Sequence, residues 1–273
     1  MMIYALSVAN LSKRYDSFTL EDISFQLPEG SIVGLIGENG AGKSTLLRCI
    51  LQLAKADSGT MDPPSLDLDT LSFIPDACPY PGILTPVQIE SDLKDIYTNW
   101  DHDTFASMCA RFSIPMRKKL KTFSKGMKVK FCFCAAFSHH ARLLILDEAT
   151  SGLDPVVRDE ILDLLLDFIQ EEDHTVLFST HITSDLEKVA DYIMYIHDGK
   201  KMFMESKDEL LESYVLMHVT KDQFKTIDPK QMIRWIEMPY QIDVLIKKKE
   251  AHYPYDPLRL EDVMRLYSKG GSK

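Results

Sequence analysis

One stretch of the sequence, residues 31–47, constrains the fold more than any other. It contains the pattern Gly-x-x-x-x-Gly-Lys-Ser between Gly37 and Ser44. A β-branched apolar run at 32–36 precedes the glycines, and a helix-like run at 44–51 follows them. Glycines let the backbone turn tightly, so that its N–H groups and the start of the helix face phosphate oxygens. The sequence therefore predicts a strand, a phosphate-binding loop and a helix in succession.

Two side chains of this loop have roles that follow from their chemistry. The Lys43 ammonium would reach the β- and γ-phosphates of a bound nucleotide. The Ser44 hydroxyl, at the start of the predicted helix, would ligate Mg²⁺. The loop therefore indicates a nucleotide site with a magnesium ion.

A second pattern places acidic groups at the end of an apolar strand. Residues 142–148 read Arg-Leu-Leu-Ile-Leu-Asp-Glu, as expected for a buried parallel strand that ends at a ligand site. Asp147 would hold Mg²⁺ through water, and Glu148 would be the general base for an attacking water. The next predicted strand, 175–180, ends at His181, which we expect at the same edge of the sheet.

The composition excludes some classes of protein. The chain has 273 residues, 45% of them hydrophobic and 26% charged, which is ordinary for a globular protein. Its net charge of −10 argues against nucleic acid as the main partner, because phosphate neutralisation needs a basic surface. No apolar run reaches the roughly 18 residues of a membrane span, and no signal peptide is recognisable. We expect a cytoplasmic chain, with its five cysteines present as buried, reduced thiols.

The remaining segments suggest how the chain is organised. We expect strands at 3–9 and 20–27, followed by a turn-rich segment at 57–64. Residues 77–140 are rich in helical patterns and are predicted to form a helical insertion, in which Ser124 is a helix N-cap able to face an anion. Tyr15 lies 28 residues before Lys43 and is either an adenine-stacking aromatic or an ordinary edge-strand residue.

Together these motifs resemble the nucleotide-binding subunit of an ATP-binding cassette (ABC) transporter over residues 1–204. The resemblance implies an α/β fold: a P-loop NTPase core with a mainly parallel sheet, an antiparallel N-terminal β subdomain and the helical insertion. Residues 205–273 lie beyond it and are predicted to form a small α+β extension, in which Trp235 and Tyr240 are core aromatics. We expect its strands at 214–220 and 241–247 and a helix at 258–267.

The resemblance assigns a role to each motif. It implies three catalytic residues, namely Lys43, Glu148 and the switch histidine His181. It implies an adenine-stacking Tyr15 and a Walker A loop that binds ATP through Gly37, Glu38, Asn39, Gly40, Ala41, Gly42, Lys43, Ser44 and Thr45. It implies that Ser44, Asp76 and Asp147 serve the Mg²⁺ ion. Ser124, Lys125 and Gly126 match the signature motif, which contacts ATP held by the opposite subunit, as does Asp154.

Two departures from the family pattern are informative. The signature reads Phe123-Ser-Lys-Gly-Met127 instead of Leu-Ser-Gly-Gly, and this form is similar to a bacterial exporter subgroup for peptide antibiotics and cytolytic peptides. Asp76 occupies a position that usually holds Gln, and it is one methylene shorter than the Glu that sometimes replaces Gln.

The resemblance implies an ATPase subunit that dimerises around two MgATP molecules at the cytoplasmic face of a bacterial membrane. Its partners would be separate permease subunits and either a second copy of the chain or a paralogue. The alternatives are a regulatory or immunity ATPase and an ABC-type ATPase acting on DNA or ribosomes. The latter proteins generally carry long coiled coils or two cassettes, which this sequence lacks. A small-molecule P-loop kinase would not need the second motif at 123–127.

Overall fold

The protein is described by a computed structural model that covers residues 3–271. The first two and last two residues of the predicted domains lie outside this range. The helices are α1 (Lys43–Ile50), α2 (Pro86–Ile96), α3 (His102–Arg111), α4 (Lys125–Phe137), α5 (Pro155–Phe168), α6 (Thr183–Val189), α7 (Lys207–Ser213), α8 (Lys221–Phe224) and α9 (Leu260–Lys269). The strands are β1 (Tyr4–Tyr15), β2 (Phe18–Pro28), β3 (Ile32–Ile36), β4 (Ser58–Asp62), β5 (Leu71–Ile74), β6 (Leu143–Asp147), β7 (Thr175–Ser179), β8 (Tyr192–His197), β9 (Lys200–Ser206), β10 (Tyr214–Val219), β11 (Met232–Glu237), β12 (Ile242–Lys247) and β13 (Tyr255–Pro257).

The central sheet has the strand order β5-β6-β7-β3-β8-β9. Its strands run parallel except β9, which pairs antiparallel with β8. Strands β3 and β7 are buried along their whole length, because helices or the second sheet cover both faces. The mainly parallel sheet predicted from the sequence is therefore confirmed.

A second, antiparallel sheet has the order β2-β1-β4 and packs over α1. Strand β4 occupies the segment 57–64, for which the sequence predicted only turns, and this expectation was wrong. Except for Met61, its residues are small or polar and exposed, so they carry no clear alternation, yet they pair with β1. Gly59 is needed there, because a Cβ at that position would collide with the backbone of Leu11.

Helices α2, α3 and α4 form the helical insertion around their own apolar core. Phe105 and Phe131 are fully buried at its centre, with Leu120 beside them. A side chain caps the N-terminus of each of the three helices: Thr85 caps α2, Asp101 caps α3 and Ser124 caps α4.

The C-terminal extension is a sheet of order β11-β12-β10-β13 backed by α9, and the strands and helix predicted for it are present. One face of α9, with Val263 and Leu266, packs into the same core as the central sheet. Trp235 packs within the extension, but Tyr240 is 97% exposed in the β11–β12 turn, so its prediction as a core residue was wrong. The predicted boundary at residue 204 falls inside β9, and the division into two domains stays a prediction.

Two further expectations concern the surroundings of the chain. Within residues 3–271, no helix is long and apolar enough to cross a bilayer. All five cysteines are free thiols, as predicted, and four of them are buried, but the expectation of burial was wrong for Cys78, which is half-buried.

Candidate nucleotide-binding site

The phosphate loop connects β3 to α1 in the conformation that its glycines permit. Gly40 and Gly42 have φ angles of 84° and 112°, in the left-handed region that side chains disfavour. Gly37 passes so close to the carbonyl oxygen of Ile196 that a Cβ there would stand closer than 3.0 Å. Because these glycines carry no side chains, a ligand can approach the backbone N–H groups at the start of α1.

Lys43 is the first residue of α1, and its side chain is only 6% exposed. Its ammonium donates to the carbonyl oxygens of Gly37 at 2.7 Å and Glu38 at 3.1 Å. Burial lowers the pKa of Lys43, while the carboxylates of Glu148 and Asp147 oppose that shift. Lys43 is thus a partly desolvated cation aimed along the loop, which strengthens its attraction to an anion.

The two acids at the end of β6 face different partners. Asp147 accepts a hydrogen bond from the Ser179 hydroxyl at 3.2 Å, across the parallel β6–β7 pair. Glu148 has a φ angle of 53°, an uncommon value for a non-glycine residue, and its N–H donates to the Ser179 carbonyl oxygen at 2.9 Å. One of its carboxylate oxygens lies 2.6 Å from Nδ1 of His181, and the other lies 3.7 Å from the Lys43 ammonium. Glu148 therefore stands between the two other predicted catalytic residues.

Lys43 and Glu148 border a cleft of about 590 Å³, a size suited to a small-molecule ligand. Its lining comprises Tyr15, Ser17, Phe18, Glu38, Asn39, Gly40, Gly42, Lys43, Ser44, Thr45 and Glu148. Tyr15, at the end of β1, is 44% exposed and lies in the same cleft as the loop. Phe18 was not predicted to line the cleft. The sequence signal that could have indicated it is that Phe18 and Tyr15 are aromatic residues on either side of a short turn.

The other predicted site residues do not line this cleft. Asp76 lies in another cleft of about 620 Å³, between the end of β5 and α4, whose lining includes Lys121, Lys125 and Lys128. The Ser124 hydroxyl caps α4 by accepting from Met127 N–H at 3.2 Å.

The remaining predicted residues take other places around the loop. Asp154 caps α5 by accepting from Val157 N–H at 3.1 Å. Ala41 is buried beneath the loop, and Gly126 is buried against α5. The predicted residues therefore fall into two groups, one at the phosphate loop and one at the start of α4 and α5.

Known proteins resemble this chain in sequence and in fold. A family model described as ABC transporter matches residues 20–151, and one described as AAA domain, putative AbiEii toxin, Type IV TA system matches residues 119–184. The ABC transporter ATP-binding protein YtrB of Bacillus subtilis is 31% identical over 225 residues, covering 80% of this chain and 77% of YtrB. The chain belongs to the ABC transporter ATP-binding proteins.

A relative and a solved structure agree with this membership. The bacitracin transport ATP-binding protein BcrA of Enterococcus faecalis is 32% identical, over 73% of this chain and 68% of BcrA. A structure described as the ATP-binding subunit of an ABC transporter matches with a TM-score of 0.68 and 27% identity, over 75% of this chain and 91% of that one. The resemblance inferred from the motifs is confirmed.

This ABC protein is an ATPase subunit with a P-loop NTPase fold. The loop between Gly37 and Gly42 suits the phosphates of ATP, because a Cβ on Gly37 or Gly42 would collide with its neighbours and the positive φ angles of Gly40 and Gly42 favour glycine. The roles of the individual side chains stay predictions, and the geometry brings Lys43, Glu148 and His181 into contact.

Proposed function

We propose that this ABC ATPase drives a bacterial exporter of peptide antibiotics, as one of two ATP-binding subunits attached to separate permease subunits at the cytoplasmic face of the membrane. The observation that carries the dimer is the division of the site residues. The phosphate loop and Glu148 share one cleft, whereas the signature residues and Asp154 lie outside it. A second copy or a paralogue would bring its own signature residues to this cleft.

The signature residues lie on one surface at the start of α4, next to α5. Gly126 packs against α5, since a Cβ on it would stand 3.0 Å from a methyl group of Val157. The Lys125 ammonium lies beside Gly152, 3.6 Å from the position that a Cβ on Gly152 would occupy. The exposed start of α4, capped by Ser124, carries partial positive charge from the helix. This surface therefore suits the γ-phosphate of ATP bound to the opposite subunit.

Within one subunit, each side chain of the cleft has a distinct task. Tyr15 and Phe18 offer aromatic faces to the adenine ring. Lys43 offsets the charge of the β- and γ-phosphates. Glu148 accepts a proton from the attacking water, and His181, hydrogen-bonded to Glu148, holds that carboxylate in place.

Oxygen donors near the loop suit magnesium. The Ser44 hydroxyl is exposed at the start of α1, and Asp147 offers a carboxylate at the end of β6. Asp76 would serve through water from the neighbouring cleft. When bound, Mg²⁺ would neutralise phosphate charge, with its other ligands coming from phosphate and water, as this ion prefers.

The permease and the cargo are inferred from separate observations. The cleft lined by Asp76, Tyr80 and Lys128 lies where the helical insertion meets the end of β5, and we assign it to a permease segment. Export of a peptide antibiotic is supported by the signature form at 123–127 and by the likeness to a bacitracin transport protein.

The deciding experiment is the solution mass of Glu148→Gln with and without MgATP. We expect a monomer that becomes a dimer with MgATP, and Lys43→Ala in the same background should remain monomeric. A monomer under both conditions would refute the homodimer and direct the search to a paralogue. ATP turnover that persists in Glu148→Gln would refute the role of Glu148 as general base.

A further inference from the structure

A buried polar cluster is formed by residues that follow the proposed catalytic residues in the sequence. Thr150 comes two residues after Glu148, Asp185 comes four residues after His181 in α6, and Arg158 lies in the first turn of α5. Thr150 and Asp185 are 0% and 1% exposed. None of these side chains has a part in the chemistry described above.

The cluster contains complementary groups that remain unbonded. Within residues 3–271, Oδ2 of Asp185, Oγ1 of Thr150 and Nε of Arg158 are buried and make no hydrogen bond to another protein atom. The Asp185 oxygen is an acceptor, the Arg158 Nε–H is a donor, and the Thr150 hydroxyl can act as a donor. Native proteins bond nearly all such groups, so three complementary ones at one place call for a reason.

The three side chains are neighbours: the Thr150 hydroxyl and the Arg158 cation both lie close enough to the Asp185 carboxylate to counter the rise that burial causes in its pKa, although none of the three free atoms has a hydrogen bond of normal geometry. Burial raises the pKa of Asp185, and the Thr150 hydroxyl and the positive charges of Arg158 and Lys188 counter it only in part, while Asp159 adds to it. Arg158 uses another nitrogen to donate to the Leu153 carbonyl oxygen at 3.4 Å. Bonds among these three atoms would require α6 to move toward α5 and toward the turn that carries Thr150.

Helix α6 is held firmly at its other end. The Glu187 carboxylate accepts from the backbone N–H of Leu260 in α9 at 2.9 Å. Lys207 donates to the Glu187 carbonyl oxygen at 2.9 Å. With this end attached to the extension, the free end of α6 is the one that follows His181.

We propose that Asp185 is a positioning residue for ATP hydrolysis, which acts by closing on Thr150 and Arg158. Closure fixes the start of α6, and hence His181, against the turn that carries Glu148. The same closure orders the loop that ends at Asp154, because Arg158 already holds that loop through Leu153. This inference rests on the proposed roles of Glu148 and His181.

The test separates kcat from ATP affinity in Asp185→Ala and Asp185→Asn. We expect kcat to fall roughly 10- to 100-fold, since a misplacement of about 1 Å costs on that order, while the ATP Kd changes less than about 3-fold. Asp185→Asn should unfold at the same or a higher temperature than wild type, because it no longer buries a charge. If Asp185→Ala does not fold, Asp185→Asn alone decides the test.

Asp159→Asn is the matched control, since it breaks the exposed 2.6 Å pair with Lys188 between the same two helices. Its kcat should stay within about 2-fold of wild type. In the His181→Ala background, Asp185→Ala should cause little further loss, because it acts through His181.

Three outcomes would overturn the inference. The first is an unchanged kcat in Asp185→Asn. The second is a kcat in the His181→Ala, Asp185→Ala double variant that falls by the product of the two single losses. The third is a parallel loss of ATP affinity and thermal stability, which would mark a static structural role. Glu148→Gln is assayed alongside, and turnover retained there would instead overturn the proposed function.

Discussion

Gly37→Ala tests whether the phosphate loop is built against a rigid neighbour. A Cβ on Gly37 would stand closer than 3.0 Å to the backbone carbonyl oxygen of Ile196 and 3.2 Å from the Cβ of Ala41. Gly37 does not have a positive φ angle, so the substitution acts through overlap alone. Because Ile196 belongs to β8 in the central sheet, the loop and not the sheet must move.

The expected size of the effect follows from this overlap. A carbon atom lies about 3.3–3.6 Å from a carbonyl oxygen in ordinary contacts, so the loop must retreat by roughly 1 Å. Overpacking of this kind costs about 1–3 kcal/mol in unfolding free energy, or a fall in Tm of roughly 2–8 °C. Hydrogen bonds to a charged ligand contribute about 1.5–3 kcal/mol each, so the loss of one or two raises the ATP Kd on the order of 100-fold.

Gly40→Ala is the matched control in the same loop. Gly40 has a φ angle of 84°, but a Cβ there would meet nothing within 4 Å. Gly40→Ala should therefore lower the unfolding free energy by only about 1 kcal/mol, through the strain of a left-handed backbone, and raise the ATP Kd less than about 10-fold. Calorimetric titration with ATP in the Glu148→Gln background and thermal unfolding without nucleotide measure both effects. Equal ATP affinities in the two alanine variants would refute the steric reasoning.

Three further predictions address other parts of the molecule. Tyr15→Ala should raise the KM for ATP roughly 5- to 100-fold, since base stacking contributes about 1–3 kcal/mol, and Tyr15→Phe should not; an unchanged KM for the alanine variant would mark an ordinary edge-strand residue. Burial tends to lower the pKa of His218, but the carboxylates bonded to both ring nitrogens outweigh it and raise that pKa. His218 should therefore stabilise the fold fully below its unfolded pKa of about 6.5 and lose that effect as pH rises through the folded pKa. The Tm difference between wild type and His218→Gln should shrink from pH 6 to 9, and a constant difference would contradict the assignment. Glu187→Ala, which removes the acceptor of Leu260 N–H, should cost about 0.5–2 kcal/mol and speed hydrogen exchange in α9, whereas unchanged exchange would show that this cap is dispensable.

Local patterns sufficed wherever a short segment carries its own physical instructions. The glycine spacing between Gly37 and Gly42 permits only a tight loop, and the apolar runs at 32–36 and 143–146 can be buried only as central strands. Helix caps such as Ser124 were legible because the capping group is adjacent to the helix it begins.

Local patterns failed where pairing partners are distant in the chain. Strand β4 has no alternation of its own and exists because β1 offers it hydrogen bonds. Tyr240 was expected in the core on composition alone, but the turn in which it lies points it to solvent. Phe18 joined the cleft only because the β1–β2 hairpin brings it over Gly42.

The sequence by itself determined which chemical groups this ATPase has and that they stand at the ends of strands. Only the tertiary structure decided which of them meet. The parallel pairing of β6 and β7 sets Asp147 opposite Ser179, and Glu148 thereby reaches both Lys43 and His181. The unbonded cluster around Asp185 was likewise invisible in the sequence, because hydrogen-bond satisfaction depends on distances between segments that only packing sets.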